Sequence, residues 1–254
     1  MSEEILAGGN LSVVVRVGDT VRRRTGPWTP AVHALLRHLE RAGFSEAPRV
    51  RGIDEQSREV LDYVEGFTLG WPLADAPFIH TEETLTAAAR LLRRYHDAAA
   101  TFAPPAGAAW RIVAPGRFEV VCHNDMAPYN TVFREERPIA MIDWDLAGPA
   151  PRLWDVAWAA VTWVPLYGGD PAYATADLAR RLRSFCDAYG LEERRDVVAT
   201  IRERQLFGRE LIARLALEGD AGFAKLAGWG IGDAILRHVD WLDDHRAELE
   251  AALA

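Results

Sequence analysis

Three side chains with oxygen donors lie close together in the middle of the sequence. Asp125 is followed five residues later by the carboxamide of Asn130, and a second carboxylate, Asp143, comes thirteen residues after that. Two short apolar segments joined by a charged turn separate Asn130 from Asp143, which predicts a β-hairpin that brings these two residues side by side. Phosphoryl transfer uses such a set, because one carboxylate orients the attacking hydroxyl while an Asn and an Asp hold Mg²⁺ on the phosphates.

This chemical interpretation competes with an ordinary one, because Asp and Asn are common in loops, where they form Asx-turns. The match to H-x-D-x-x-x-x-N that begins at His123 is weak by itself. Its context strengthens it, since one apolar run enters the motif at 118–122 and a second apolar run ends in Asp143. We therefore interpret Asp125, Asn130 and Asp143 as functional residues.

The stretch from Val120 to Trp158 resembles the catalytic core of the aminoglycoside phosphotransferase family, which is related to the choline kinases and the protein kinases. The resemblance rests on the H-x-D-x-x-x-x-N loop, the hairpin, the apolar-Asp-Trp element and a helix that begins with L-W-D-V-A at 153–157. It implies a two-lobed α+β fold of the protein-kinase type. A small antiparallel β N-lobe would carry one helix, and the larger C-lobe would be mostly helical.

For the site, the resemblance implies that Asp125 is the catalytic base and that Asn130 and Asp143 bind Mg²⁺. His123 would belong to the catalytic loop as a hydrogen-bonding, structural histidine. Asp155, near a helix start, would support that loop. The implied co-substrate is ATP or GTP, and the implied acceptor is a hydroxyl group of a small molecule.

The N-terminal part follows the pattern β-β-α-β-β. Its strands are predicted at 11–17, 20–23, 49–52 and 59–64. Thr29 and Pro30 are expected to be the N-cap and first residue of a helix that continues to Arg41 and is ended by Gly43. The resulting division is an N-lobe over 1–64 and a C-lobe over 65–254.

The C-terminal part is predicted to be largely helical. Thr81 is expected to be the N-cap of a helix that continues to Ala100, because two glutamates follow it in the first turn. Further helices are predicted at 151–164, 172–189, 192–218 and 221–252.

Two N-lobe segments are candidates for binding the nucleotide. Gly8-Gly9-Asn10 lies where the family has its phosphate-covering loop, and two glycines let backbone N–H groups approach phosphate oxygens. The same residues are equally typical of an ordinary turn. The resemblance also implies that the hinge Asp62-Tyr63-Val64 offers backbone groups to the adenine.

The cation on the phosphates departs from the family's pattern, which has a lysine on the third strand paired with a glutamate on the next helix. Lys225, the only lysine, lies far away in the C-terminal helices. Arg22 and Arg23 occupy the strand and point to opposite faces, so one of them enters the cleft, and we favour Arg23. The helix has Val32 or His33 where the family has its acid, and His33 is expected to be a surface or inter-lobe histidine. Both members of the pair are therefore expected to be missing, which indicates either an altered mode of phosphate binding or lost catalysis.

Candidates for acceptor binding are acidic and aromatic. Asp240, Asp243 and Asp244 share one face of the last helix, where a solvated acidic surface is the more ordinary interpretation. The aromatic candidates for an acceptor pocket are Trp158, Trp163, Tyr167, Trp229 and Trp241. Aromatic side chains at helical spacing usually pack in the core, so most of these are expected to be core residues.

Composition and charge limit the class of partner. The 254 residues are 49% apolar and 26% charged, as in a globular protein, and carry a net charge of −8. This charge argues against a nucleic-acid or anionic-membrane binder and is compatible with a cationic small molecule. Because the sequence has no signal-type apolar stretch and no window as long as a membrane span, we expect a cytoplasmic protein.

The sequence therefore favours an Mg²⁺-dependent small-molecule O-phosphotransferase, which would modify either an antibiotic or a metabolite. A second interpretation is a kinase-like protein without transfer activity that binds a nucleotide, an antibiotic or a peptide as an immunity-type protein. An Mg²⁺-dependent hydrolase is less favoured, because nothing in the sequence supplies a separate nucleophile.

Overall fold

A computed structural model describes residues 3–6, 13–70, 76–167 and 173–254 of the protein. The candidate phosphate-covering segment Gly8-Gly9-Asn10 lies outside these residues. Within them, the chain runs from a β-rich N-terminal part to a C-terminal part that is mostly helical.

A five-stranded antiparallel sheet forms the N-terminal part. Its strands are β1 (Glu4–Ile5), β2 (Val15–Val17), β3 (Thr20–Arg24), β4 (Val50–Ile53) and β5 (Arg58–Asp62). Their spatial order is β1-β2-β3-β5-β4, so β3 pairs with β5 and not with the strand that follows it in the chain. Helix α1 (Thr29–Arg41) connects β3 to β4 and buries a stripe of leucines against the rest of the molecule. The predicted pattern β-β-α-β-β is confirmed, with β1 as an additional edge strand.

Helix α1 begins one residue earlier than the sequence predicted. Trp28 is the N-cap and Thr29 is already helical, so the assignment of Thr29 as the cap was wrong. The Thr29 hydroxyl instead accepts a hydrogen bond from the Gly26 N–H at 2.8 Å, and it is therefore committed to the turn before the helix. The helix ends as predicted, because Gly43 follows in the left-handed conformation with φ of 79°.

The predicted hairpin is present and belongs to a three-stranded antiparallel sheet. Its strands are β6 (Phe67–Thr68), β8 (Thr131–Arg134) and β9 (Arg137–Met141), in that spatial order. Thr131 pairs with Met141, and just beyond this pair the Ile142 N–H donates to the Asn130 carbonyl at 2.9 Å. Asn130 and the residue before Asp143 are therefore adjacent. A separate two-stranded sheet pairs β7 (Val120–Cys122) with β10 (Gly148–Ala150).

Seven helices follow α1 in the described part of the chain. They are α2 (Glu82–Ala99), α3 (Arg152–Trp163), α4 (Thr175–Tyr189), α5 (Val197–Leu217), α6 (Ala221–Gly228), α7 (Ile231–Asp244) and α8 (Arg246–Leu253). Thr81 caps α2 as predicted, and its hydroxyl accepts a hydrogen bond from the Thr84 N–H at 3.2 Å. None of the helices in the described ranges is long and apolar enough to cross a membrane.

The single helix predicted over 221–252 is wrong, because three helices occupy that range. Gly230 separates the first two with a left-handed φ of 72°, which a right-handed helix cannot contain. His245 separates the second from the third. The apolar spacing continues across both breaks, and a single helix was therefore predicted.

One large apolar cluster joins the elements that carry the site. It includes Leu35 of α1, Leu92 of α2, Phe133 of β8, Val156 of α3 and Leu182 of α4, each with no exposed surface. The hairpin and the loop after β7 are therefore built on tightly packed elements. The lobe boundary expected at 64/65 falls between β5 and β6, and the division into lobes stays a prediction.

Candidate active site

Asp155, in the first turn of α3, holds the loop that follows β7. The N–H groups of His123 and Asn124 donate to its two oxygens at 2.8 and 2.9 Å. His96 of α2 joins them, with Nε2 at 3.0 Å from the Asp155 carboxylate and Nδ1 at 2.7 Å from the Tyr189 hydroxyl. Burial pushes the pKa of Asp155 upward, but the hydrogen bond and charge of His96 hold the pKa below its ordinary value. Asp155 is therefore a charged anchor for the loop.

Cys122 completes a buried trio with His96 and Asp155, whose ligand-type atoms lie within 4.8 Å of one another. The Cys122 thiol is 3.4 Å from the Pro151 carbonyl, to which it donates, and burial raises the pKa of this thiol well above its ordinary value. Because the carboxylate and imidazole are already hydrogen-bonded, the trio acts as a scaffold and not as a metal centre.

His123 connects the loop to the hairpin. Its Nε2 lies 3.0 Å from the Ile142 carbonyl, and its Nδ1 accepts the Asp125 N–H at 3.3 Å. Burial lowers the pKa of His123, so the ring is neutral, with the proton on Nε2. His123 thereby fixes the backbone of Asp125 relative to the residue that precedes Asp143.

Three donors surround the carboxylate of Asp125. Trp158 donates through Nε1 at 2.9 Å and Tyr129 through its hydroxyl at 3.2 Å, both to Oδ1. Asn130 donates through Nδ2 to Oδ2 at 2.8 Å. Burial and the charge of Asp143 raise the pKa of Asp125 to about 7, against the opposing effect of the Trp158 hydrogen bond. A carboxylate with this pKa and a fixed orientation is suited to accept a proton near neutral pH.

Asn130 and Asp143 offer the oxygen atoms that a hard cation prefers. The carboxamide nitrogen of Asn130 donates to the carbonyl and the carboxylate of Asp125, at 3.0 and 2.8 Å, so the carboxamide oxygen is left for a ligand. The Asp143 side chain is 43% exposed and contacts Arg23 through Oδ1, which leaves Oδ2. This donor set fits Mg²⁺.

The backbone at Asp143 is unusual. Its φ of 62° and ψ of 66° lie in the left-handed region, as does the φ of 63° at Asn124 in the loop. Asn and Asp are the residues other than glycine that adopt this conformation most readily. Such conformations cost free energy and are maintained where the surrounding structure demands them.

Arg23 reaches from strand β3 to the same carboxylates. Its Nη1 lies 3.0 Å from Asp143 Oδ1, its Nη2 contacts the Asp145 carboxylate, and its Nε lies 2.9 Å from Glu59 Oε1. Burial disfavours the charged guanidinium, but the surrounding carboxylates outweigh burial and raise the pKa of Arg23. Of the two arginines considered for the cleft, Arg23 is the one that the structure brings to Asp143.

Arg22 points to the other face of the sheet, as strand alternation predicts. Its Nη1 donates to the Thr20 hydroxyl, and its Nε lies 3.6 Å from the Asp54 carboxylate. Arg22 is therefore separated from Asp143, and the structure does not bring this candidate nucleotide-binding residue to the site.

The acid partner of Arg23 comes from an unexpected element. Glu59 of β5 lies directly opposite Arg23 in the ladder and supplies the carboxylate that the sequence was expected to lack. His33 of α1 contacts the other oxygen of Glu59 at 2.9 Å and is 5% exposed. The expectation of a surface histidine was wrong, because the ring is buried and Glu59 gives it a partner, whereas the inter-lobe position stays a prediction.

Two of the three backbone N–H groups of the candidate hinge Asp62-Tyr63-Val64 are already hydrogen-bonded to backbone carbonyls. The Asp62 N–H donates to the Arg49 carbonyl and the Tyr63 N–H to the Asp19 carbonyl, at 2.9 and 2.8 Å. Val64 is the member of the three whose N–H makes no hydrogen bond to the described part of the chain. If this segment binds adenine through a backbone N–H, Val64 is the residue that can provide it.

Two arginines near the candidate site were not predicted from the sequence. Arg204 of α5 is 2% exposed, donates through Nη2 to the Asn124 carbonyl at 2.7 Å and lies 4.6 Å from the centre of the Trp158 ring. Burial lowers the pKa of Arg204, and the charge of Asp125 opposes this shift. The signal that could have indicated Arg204 is the position of an arginine on the inner face of the helix predicted at 192–218.

Arg111, the second of these, precedes β7 and joins distant segments. Its guanidinium lies 4.5 Å from the Trp28 ring centre and 5.0 Å from that of Phe223. It also contacts Asp220, the N-cap of α6, and lies 4.0 Å from the Asp145 carboxylate. Arg111 therefore links the start of α1 and the start of α6 to the Arg23 cluster.

The acceptor candidates separate into surface, core and site residues. Asp240, Asp243 and Asp244 are exposed, as expected for a solvated face. Trp163 is buried in the core, whereas Trp229 is 49% exposed. Trp241 stacks on His245 at 4.6 Å between ring centres. Trp158 contacts Asp125, because its Nε1–H donates to this carboxylate. Burial, and after it the charge of Asp125, raises the pKa of Tyr167.

Comparisons with known proteins match the segment of the chain that carries the candidate site. The model of the phosphotransferase enzyme family matches residues 107–199, which include the loop, the hairpin and α3. The chain is also 35% identical to the trifolitoxin immunity protein of Rhizobium leguminosarum bv. trifolii, with 100% of both chains covered.

Solved structures share the fold. An amicoumacin kinase in complex with AMP-PNP, Ca²⁺ and Ami matches with a TM-score of 0.66 and 14% identity, over 95% of this chain and 88% of that chain. A choline/ethanolamine kinase family protein from Mesorhizobium loti matches with a TM-score of 0.59 and 18% identity, over 95% and 92% of the two chains. The predicted α+β architecture of the protein-kinase type is confirmed. The chain belongs to the family of the trifolitoxin immunity protein, its residues 107–199 match the phosphotransferase enzyme family, and its fold is that of the aminoglycoside phosphotransferases and the choline/ethanolamine kinases.

Proposed function

We propose that the protein is an Mg²⁺-dependent kinase that transfers the γ-phosphoryl group of ATP or GTP to a hydroxyl group of a small molecule. The observation that carries the proposal is the Asp125 carboxylate, which three donors fix in orientation beside the two candidate metal ligands. Phosphoryl transfer depends mainly on positioning and on neutralising charge, and this arrangement supports both.

In the proposed reaction, Asp125 accepts the proton of the acceptor hydroxyl as the hydroxyl oxygen forms a bond to the γ-phosphorus. The bond from this phosphorus to the bridging oxygen breaks, and the nucleoside diphosphate leaves. Mg²⁺ held by Asn130 and Asp143 would neutralise charge on the phosphates. Trp158 and Tyr129 keep the Asp125 carboxylate in one orientation, and Arg23 contributes positive charge on the N-terminal side.

The acceptor that we propose is a toxic antibiotic or peptide with a free hydroxyl group, so that phosphorylation protects the cell. Support comes from the full-length similarity to the trifolitoxin immunity protein and from the fold shared with kinases of antibiotics. The aromatic ring of Trp158 beside Asp125 suits an acceptor with a large apolar surface.

A second candidate is a protein that binds such a toxin without modifying it. The same similarity to an immunity protein favours this candidate, together with an arginine in the position where the family usually has a lysine. Arginine is longer than lysine and is not an equivalent phosphate ligand. The two candidates differ in whether nucleotide is consumed.

A thermal-shift titration with ATP, GTP and Mg²⁺ tests the nucleotide site first. Wild type should be stabilised by one of the nucleotides only when Mg²⁺ is present, because the metal joins the phosphates to Asn130 and Asp143. Asp143→Asn, which removes the charge and keeps the shape, should lose most of this shift. A wild type that does not respond to either nucleotide would contradict the kinase proposal.

A phosphate-transfer assay with Asp125→Ala separates the two candidates. In the kinase, the variant should bind Mg²⁺ and nucleotide with nearly wild-type affinity, yet its transfer to a responsive antibiotic or peptide should fall by about 10²–10⁴-fold. Undiminished transfer would remove Asp125 from the reaction. If wild type protects cells and binds the toxin but never consumes nucleotide, the second candidate is correct.

A further inference from the structure

We infer that Glu59 and His33 are positioning residues, which hold Arg23 as the cation that faces the phosphates of the nucleotide. They take the place of the glutamate that the family carries on its N-lobe helix. This inference rests on the proposed function, because it concerns the preparation of the same nucleotide site.

The two oxygens of Glu59 are divided between two partners. Oε1 lies 2.9 Å from Arg23 Nε and Oε2 lies 2.9 Å from His33 Nε2. Glu59 is 2% exposed. Because each oxygen is already occupied, the carboxylate cannot rotate without losing one of these contacts, and its position fixes that of Arg23.

The contact with Glu59 also decides which atoms of Arg23 face the cleft. Glu59 forms a close ion pair on the Nε side of the planar guanidinium, although this N–H does not reach hydrogen-bond geometry, and Nη1 and Nη2 are left for other partners. These two nitrogens meet Asp143 and Asp145, on the C-terminal side of the site. Arg23 can therefore exchange these two carboxylates for phosphate oxygens while Nε stays on Glu59.

The number of carboxylates around Arg23 indicates that this cluster does more than stabilise the fold. A single carboxylate is enough to neutralise a buried guanidinium, but three carboxylates contact Arg23. Arg111, 4.0 Å from the Asp145 carboxylate, is also paired with Asp220 and offsets this excess only in part. Surplus negative charge in a buried site is unfavourable unless a further cation joins the cluster. A metal ion on Asp143 would supply that cation and release Arg23 towards the phosphates.

His33 makes the position of Arg23 depend on helix α1. The ring is buried on α1 and contacts Glu59 on β5, which in turn lies opposite Arg23 on β3. Helix α1 and strands β5 and β3, which are separated in the sequence, are therefore connected through consecutive contacts of these three side chains. His33 stops Glu59 from turning fully towards Arg23, and this is the positioning role that we assign to it.

The test compares the binding of adenosine, ADP and ATP, each with Mg²⁺, to wild type, Glu59→Gln and His33→Ala by calorimetry. If the two residues position Arg23, both variants should bind ATP about tenfold more weakly, with a smaller loss for ADP and none for adenosine. Electrostatics alone predicts the opposite sign for Glu59→Gln, since removing a negative charge should strengthen phosphate binding. Unchanged or tighter ATP binding by Glu59→Gln would overturn the inference.

Controls separate positioning from general damage to the fold. His33→Gln keeps a nitrogen donor near Glu59 and should recover most of the ATP affinity that His33→Ala loses. His38→Gln changes a histidine on the same helix that contacts the Ala98 carbonyl, and it should leave ATP binding unchanged. An equal loss for adenosine and ATP would mean a structural effect and would also overturn the inference.

The same experiment distinguishes this inference from the proposed function. If wild type binds ATP with Mg²⁺ and the variants bind it equally well, only the roles of Glu59 and His33 are wrong. If wild type binds no nucleotide at all, the kinase proposal and this inference fall together.

Discussion

The two halves of the site are held by different kinds of interaction. On the C-terminal side, Asp125 is fixed by the neutral donors of Trp158, Tyr129 and Asn130. On the N-terminal side, Arg23 is fixed by carboxylates. Directional hydrogen bonds from packed side chains hold one geometry, whereas a cation among several anions can change partners when another charge arrives. In the proposed reaction, the base is therefore ready before the substrates bind, and the cation lies where the nucleotide could redirect it.

The largest effect is expected where the C-terminal half is anchored. Asp155→Ala should lower the free energy of unfolding at pH 7 by about 3–5 kcal/mol, because two loop N–H groups and His96 lose their partner in the interior. Urea denaturation measures this loss. Asp177→Ala, at an exposed position, serves as the control and should change the free energy of unfolding very little.

The same anchor gives a dependence on pH. The pKa of folded Asp155 lies below the ordinary value of 3.8, so its stabilising effect is present above that value and is lost as pH falls through the folded pKa. The difference in stability between wild type and Asp155→Ala should therefore shrink on acidification below about pH 4. A difference that stays constant down to pH 2 would show that Asp155 does not act as a charged anchor.

Removing the Arg23 guanidinium should have the next largest effect on the free energy of unfolding. It tests whether charge holds the N-terminal half of the site. Arg23→Met leaves the buried Glu59 without its cation and should lower the free energy of unfolding by about 2–4 kcal/mol in the absence of Mg²⁺. This estimate is below that for a fully buried pair, because the Asp143 side chain is 43% exposed. Millimolar Mg²⁺ should stabilise Arg23→Met more than wild type, because the metal relieves the same negative charge.

The control for this variant is Arg24→Met, since the Arg24 side chain is 74% exposed on the same strand. It should change neither the stability nor the response to Mg²⁺. If Mg²⁺ stabilises Arg23→Met and wild type equally, Arg23 and the metal do not share the carboxylates, and the account of an exchangeable cation fails.

The smallest effect is expected at the donors around Asp125. Trp158→Phe keeps an aromatic ring but removes the Nε1–H, so the unfolding free energy should fall by about 1 kcal/mol. Turnover should fall roughly tenfold with nucleotide affinity unchanged, because the base loses one of its three orienting contacts. Kinetics at saturating nucleotide measure this, with Trp241→Phe as the control. A change below about twofold in turnover would place the orienting role on the other two donors.

The two halves also differ in how much of them could be predicted from the sequence. Asp125, Asn130 and Asp143 are joined by a loop and a hairpin, and local periodicity predicts both elements. Strand alternation predicted that Arg22 and Arg23 point to opposite faces, but it did not decide which of the two enters the cleft. Glu59 could not be paired with it, because β4 and α1 intervene in the chain and the β3–β5 pairing is a property of the folded sheet.

Other differences have equally physical causes. The apolar spacing of the last helices gives no sign of the break at Gly230, where backbone conformation overrides side-chain periodicity. Hydrogen bonds within the sheet occupy two of the three hinge N–H groups, and no pattern of side chains reports on them. Arg204 reaches the loop from α5, so its contact with the Asn124 carbonyl depends on helix packing alone.

The left-handed backbone at Asp143 has a consequence for how this protein can change over generations. Asparagine tolerates that conformation as well as aspartate does, so Asp143→Asn removes the charge of the candidate metal ligand at little cost in backbone strain. In the proposed kinase, a single such exchange would abolish transfer while leaving the fold in place. Modifying enzyme and sequestering protein are thus neighbours in sequence space, and a lineage can pass from one to the other without first losing stability.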